Sequence, residues 1–211
     1  MQYKSVKSLL KPLIKSGHEW QSIDINGRDR KPKAYFSNVQ WVLLIIGILI
    51  LIKLTKGFSK DIIGYIMSAF AISVSLFMSL LVSIFDKFEK TSFDTENKDD
   101  AGIVRLKQKK NFFKRFISIT SYLVILSIVI VVLCSLSYVL NMPARNVSPN
   151  DFTLKWKQID IILTLKNALV LTYRIILNYL LLDYLLLTLF IAGSAFEYYM
   201  SEIDNRKVSN E

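Results

Sequence analysis

Arg174, Asn178 and Asp183 interrupt the apolar run RIILNYLLLDYLLL, residues 174–187. In hydrocarbon such groups pair with one another, hydrogen-bond to a neighbouring helix, or line a hydrated path for an ion or proton. An ionised carboxylate at the bilayer centre costs at least about 2.5–3.5 kcal/mol, so something must compensate it. Which of the three residues faces that problem depends on depth, and depth follows from the spans that carry them.

Of the 211 residues, 52% are hydrophobic and 21% charged, and the two classes are segregated into long uncharged runs and charged connections. A helix needs about 20 apolar residues to cross roughly 30 Å of hydrocarbon. Four segments meet or approach that length, at 35–54, 62–85, 116–140 and 174–196, and the middle two contain no charge at all. The expected fold is therefore all-α: a polytopic membrane protein with a four-transmembrane-helix bundle and cytoplasmic amphipathic helices. Its parts are a basic segment and linker at 1–34, a first transmembrane hairpin at 35–85 and a charged connection at 86–115. A second hairpin follows at 116–196, with an outer loop at 141–167, and then a tail at 197–211.

Charge sets the expected orientation. Residues 1–34, the connection 86–115 and the tail carry eight, nine and two Lys/Arg, whereas the opposite side carries three and then four. Nineteen against seven places both termini and the central connection in the cytoplasm. Basic flanks beside anionic lipid account for the net charge of +10 without direct nucleic-acid binding. No cleavable signal peptide is expected, because the first apolar run follows some 34 polar and basic residues.

Near the N-terminus, Val6, Leu9, Leu10, Leu13 and Ile14 follow the spacing of one helical face, with Lys4, Lys7, Lys11 and Lys15 on an adjacent stripe. Two readings stand for this segment: it lies on the inner leaflet with its lysines on lipid phosphates, or it packs on the ends of the spans. Pro12 is expected to kink it. In the central connection, FDTENKDDAG is acidic and breaks a helix, while VRLKQKKNFFKR is basic and can run straight into the third span. Arg105, Lys107, Lys109 and Lys110 make this the candidate surface for lipid or for a cytoplasmic partner.

The second span carries Gly64, Ser68, Ala71, Ser75, Ser79 and Ser83, mostly at steps of four. Small residues let helix backbones approach closely in lipid, where packing rather than a hydrophobic force holds helices together. Alternatively Ser68, Ser75 and Ser79 face a narrow watery path. Thr120, Ser127 and Cys134 repeat every seven residues in the third span and admit the same two readings.

With the N-terminus inside, Arg174 falls at the outer edge of the fourth span, where it can reach headgroups, and Asn178 one turn deeper. Asp183 falls near the midpoint. Arg174 is nine residues away, on the opposite helix face and about 13 Å along the axis, so the two cannot pair. Asp183 is then either neutral and hydrogen-bonded to a serine or tyrosine, or, in an oligomer, part of an acidic ring on a hydrated axis. Thr172, Tyr179, Asp183 and Glu197 share one side, which is expected to face protein or water.

Catalysis is not expected, because no phosphate loop, nucleophile elbow or paired carboxylates occur. The single histidine (His18) and single cysteine (Cys134) make no metal set, and no cofactor is implied.

The stretch GYIMSAFAISVSLFMSLLVSIFDKFEK, residues 64–90, opens on Gly-Tyr, continues as a small-residue span and exits through Phe-Asp-Lys-Phe. It resembles the small membrane effectors of bacterial anti-phage systems, most of all the transmembrane proteins encoded beside retron reverse transcriptases. The resemblance implies an oligomeric inner-membrane toxin kept silent by a reverse transcriptase with its RNA-linked DNA. Release would permeabilise or depolarise the membrane and abort infection. The alternative is a non-conducting anchor or sensor, similar to the membrane component of Kiwa-type defence, that holds a soluble partner at the membrane.

Overall fold

The computed structural model describes residues 3–23, 26–27, 37–53, 57–93, 100–140 and 161–204. Among them lie five α-helices and no strand: α1 (Tyr3–Ser22), α2 (Asn38–Lys53), α3 (Lys60–Glu89), α4 (Asp100–Val139) and α5 (Ile161–Asp204). Three are long and apolar enough to cross a membrane, over Lys60–Glu89, Gly102–Val139 and Asn167–Met200. α2, the expected first span, has 16 residues. At 1.5 Å rise it reaches about 24 Å, short of the roughly 30 Å of a hydrocarbon core.

Local chemistry fixes the helix starts. At α2, Ser37 and Gln40 form a reciprocal capping box: the Gln40 amide donates to Ser37 Oγ at 3.3 Å, and the Ser37 amide donates to Gln40 Oε1 at 3.0 Å. At α3, Ser59 Oγ accepts from the Ile62 amide at 3.2 Å, and Asp61 in the first turn suits the positive helix end. The basic stretch before the third span belongs to the same helix as that span, so α4 runs unbroken for 40 residues. α1 likewise continues through Pro12. Most of the outer loop, residues 141–160, lies outside the described residues, and α5 begins at Ile161.

Two compact units are distinguished, and α3, α4 and α5 each contribute a stretch to both. The first gathers α1, Ser75–Ile125 and Leu186–Glu211. Its centre is aromatic: Phe112 stacks on Tyr198 with centroids 4.0 Å apart and 9° between planes, and Phe113 and Phe116 pack beside Phe112. Phe88 meets Phe113 edge-on at 5.4 Å. Cations cap the cluster, with Arg115 over the Phe190 ring at 4.2 Å and Lys87 over Tyr199 at 4.8 Å.

The second unit gathers Ala34–Val74 and Leu126–Leu185. Here Phe70 packs on Tyr184 at 4.6 Å, and the Tyr173 hydroxyl donates to the Leu133 carbonyl at 2.9 Å. Along α4 the buried residues Phe116, Thr120, Leu123, Ser127, Ile130, Cys134 and Ser137 alternate steps of four and three. That is the 3.5-residue period of a knobs-into-holes seam. The seven-residue repeat of Thr120, Ser127 and Cys134 is one edge of it.

Candidate functional site

The buried polar groups concentrate on α5. Arg174, Asn178 and Asp183 are 6%, 6% and 3% exposed, and all three belong to the second unit. Asp183 stands 16 residues from the start and 17 from the end of the apolar helix Asn167–Met200, hence midway along it. Five residues at 100° each set Asn178 and Asp183 about 140° apart on the helix, so they enter different sides of the packing.

Each of the other two polar groups meets a glycine. Gly47 of α2 lies against Asn178: a Cβ at 47 would stand 3.7 Å from Asn178 Cβ and from the Tyr179 amide nitrogen. Gly57, in the connection from α2 to α3, has φ +70 and is closer still. A Cβ there would fall 2.7 Å from Arg174 Nε and 2.8 Å from its Cζ. Arg174 is therefore buried with Gly57 against its guanidinium, whereas its place at the end of the span predicts a guanidinium reaching headgroups. The close approach of Gly57, three residues before α3, makes the difference.

The expected polar side of α5 is divided. Asp183 is buried and Tyr179 half-buried, while Thr172 and Glu197 are exposed. Burial follows Val170, Arg174, Leu177, Tyr184, Leu187 and Ile191 instead, a packing seam rather than a polarity pattern.

The small-residue stripe of α3 points outward. Gly64, Ser68, Ala71, Ser75, Ser79 and Ser83 are all exposed, and a Cβ added at Gly64 would meet nothing within 4 Å. The buried residues Ile63, Phe70 and Ile84 occupy the other side of the helix. Ser79 Oγ donates to its own helix at the Ser75 carbonyl, 3.1 Å away, which satisfies the hydroxyl without a partner helix. Within the chain, Ser68, Ser75 and Ser79 are thus not gathered with the buried Asn178 and Asp183.

Of the basic candidates, Lys7, Lys11, Lys15, Arg105, Lys107 and Lys110 are exposed and Lys109 is half-buried, all in the first unit. Lys15 lies 3.7 Å from Glu19. Between the cations, Gln108 donates to Asn26 Oδ1 at 2.9 Å, and Gly27 approaches Asn111, so one side of this stretch of α4 is taken by the turn that follows α1. Among the described residues no three His, Cys, Asp or Glu side chains come together as a metal set.

No family model matches the chain, and no curated protein or solved structure shows significant similarity to it.

Proposed function

We propose that this chain is a four-span bacterial inner-membrane protein, with both termini cytoplasmic, that assembles side by side through α3 and permeabilises the membrane. The observation that carries the reading is the exposure of the α3 stripe. Only 11% of the apolar stretch of α3 is buried, against 44% for α4 and 33% for α5. Lipid tails gain nothing from glycine and serine, whereas a second helix can approach closely over such a face. The helix that carries the stripe is also the one whose sequence resembles retron-associated effectors, which supports an abortive-infection role with a silencing partner.

The test is membrane potential, followed with a voltage-sensitive dye in bacteria expressing the chain alone at matched membrane levels. Ser75→Leu, which places a bulky side chain in the middle of the stripe, is expected to abolish depolarisation. Leu76→Ala, about 100° round the helix, is expected to preserve it. Depolarisation by Ser75→Leu equal to that of the unmodified chain sinks the reading.

One observation favours the anchor instead: α4 continues past the uncharged run as a helix to Asp100, carrying exposed Arg105, Lys107 and Lys110 on a rigid arm. For an anchor, the chain alone leaves the potential intact. Reversing Lys107, Lys109 and Lys110 to glutamate then releases the soluble partner from isolated membranes while the membrane level of the chain holds. Retention of the partner by the reversed chain argues against docking there.

A further inference from the structure

α1 is held along its C-terminal half. Ser16 Oγ and Ser118 Oγ of α4 are hydrogen-bonded at 2.8 Å. Gly17 approaches α4 so closely that a Cβ would fall 2.5 Å from Tyr122 Cβ and 3.2 Å from the Ser118 carbonyl oxygen. Ser118 and Tyr122 lie in the uncharged run that starts at Phe116, directly after Lys114 and Arg115. The contact therefore fixes this end of α1 at the level where hydrocarbon gives way to headgroups.

The N-terminal half carries its apolar face bare. Val6, Leu9, Leu10 and Ile14 are exposed, Leu9 by 68%, in a helix whose other end is seated on α4 at Ser118 and Tyr122. Lys7, Lys11 and Lys15 flank that face on one edge and are exposed as well. On α4, Lys107, Lys110 and Lys114 are exposed in the same unit. The occupant must offer apolar depth beside negative charge.

The geometry points to the anionic leaflet of the bilayer itself as the surface that covers α1: the four apolar side chains enter the acyl boundary and Lys7 and Lys11 reach lipid phosphates. A second copy packed face to face would bring two lysine stripes together, and like charges oppose that arrangement. This inference needs the chain to be membrane-embedded and is independent of whether it permeabilises.

The test uses the full chain with Cys134→Ser and one new cysteine carrying an environment-sensitive fluorophore, at Leu9→Cys or, on the polar side, Ser8→Cys. Each is reconstituted in vesicles of phosphatidylcholine alone or with one third phosphatidylglycerol. Expected for the Leu9 probe is blue-shifted emission quenched by a shallow spin-labelled lipid, strongest with phosphatidylglycerol, while the Ser8 probe stays in water. Neutralising Lys7 and Lys11 to glutamine is expected to weaken the anionic-lipid dependence, by about 5-fold per lysine. Water-like emission from the Leu9 probe in both vesicles overturns the assignment. So does emission that is blue-shifted yet untouched by the lipid quencher, which means that protein covers the face.

Discussion

Phe112→Ala is expected to lower the unfolding free energy by about 3–5 kcal/mol, the range for emptying a buried aromatic site. Phe112 is 1% exposed, and only three residues separate it from the uncharged run of α4, so burial from water still contributes there. It touches Phe113, Phe116 and Tyr198, and makes the closest ring contact of the cluster. Alanine removes the stack on Tyr198 and leaves a void that the rigid helix neighbours cannot fill. Phe112→Leu keeps most of the volume and loses the ring geometry, so it should cost far less, with about 1 kcal/mol from the lost stacking. Unfolding in detergent by heat or by a graded denaturing surfactant measures both. If Phe112→Ala behaves like Val104→Ala, an exposed position on the same helix, the cluster is not what holds the first unit together.

None of this cluster is visible as a pattern. Phe88, Phe112 and Tyr198 come from three helices, and no local period connects them. What the sequence does reveal follows from polarity along one helix. The uncharged run 62–85 falls inside α3, and 116–140 inside α4 but for Leu140, because a long apolar run is specific to a spanning segment. The basic run before the third span is helical for the reason read from its composition: nothing in VRLKQKKNFFKR breaks a helix.

Facing directions are much less legible. In water a buried helix face is the apolar one, whereas in lipid both faces are apolar and the pattern loses its meaning. The stripe from Gly64 to Ser83 marks a distinct face of α3, and nothing in its spacing tells whether that face meets another helix of the chain or looks outward. Its exposure also redistributes the candidate pathway residues, because Ser75 and Ser79 look away from the bundle while Asp183 lies within it. If copies assemble through α3, the serines and not the carboxylate border the new interface.

Asp183 is therefore an interior group of the chain. Arg174 is legible only in part for a related reason: its depth follows from position in the span, but its enclosure comes from Gly57, 117 residues earlier in the chain.

That enclosure makes Gly57→Val the most damaging single change expected in the second unit, by two additive routes. The backbone at φ +70 is in the left-handed region, which costs an ordinary L-residue about 1–2 kcal/mol and a β-branched one more. The new Cβ would also collide with the Arg174 guanidinium, whose three nearest atoms stand at 2.7, 2.8 and 2.9 Å from that point. Arg174 is 6% exposed, so its charge can make room only by giving up a buried setting it already fills. Breaking a buried charge out of its partners costs about 3–5 kcal/mol, and because the guanidinium ends a flexible side chain that can shift, only part of that cost falls on this route. The double-mutant cycle separates the routes. Gly57→Ala alone should carry both costs in milder form; in an Arg174→Met background, where the side chain is flexible and uncharged, it should carry the backbone cost alone, about 1–2 kcal/mol. Equal effects of Gly57→Ala in both backgrounds would mean that the glycine serves its own backbone conformation and not the arginine.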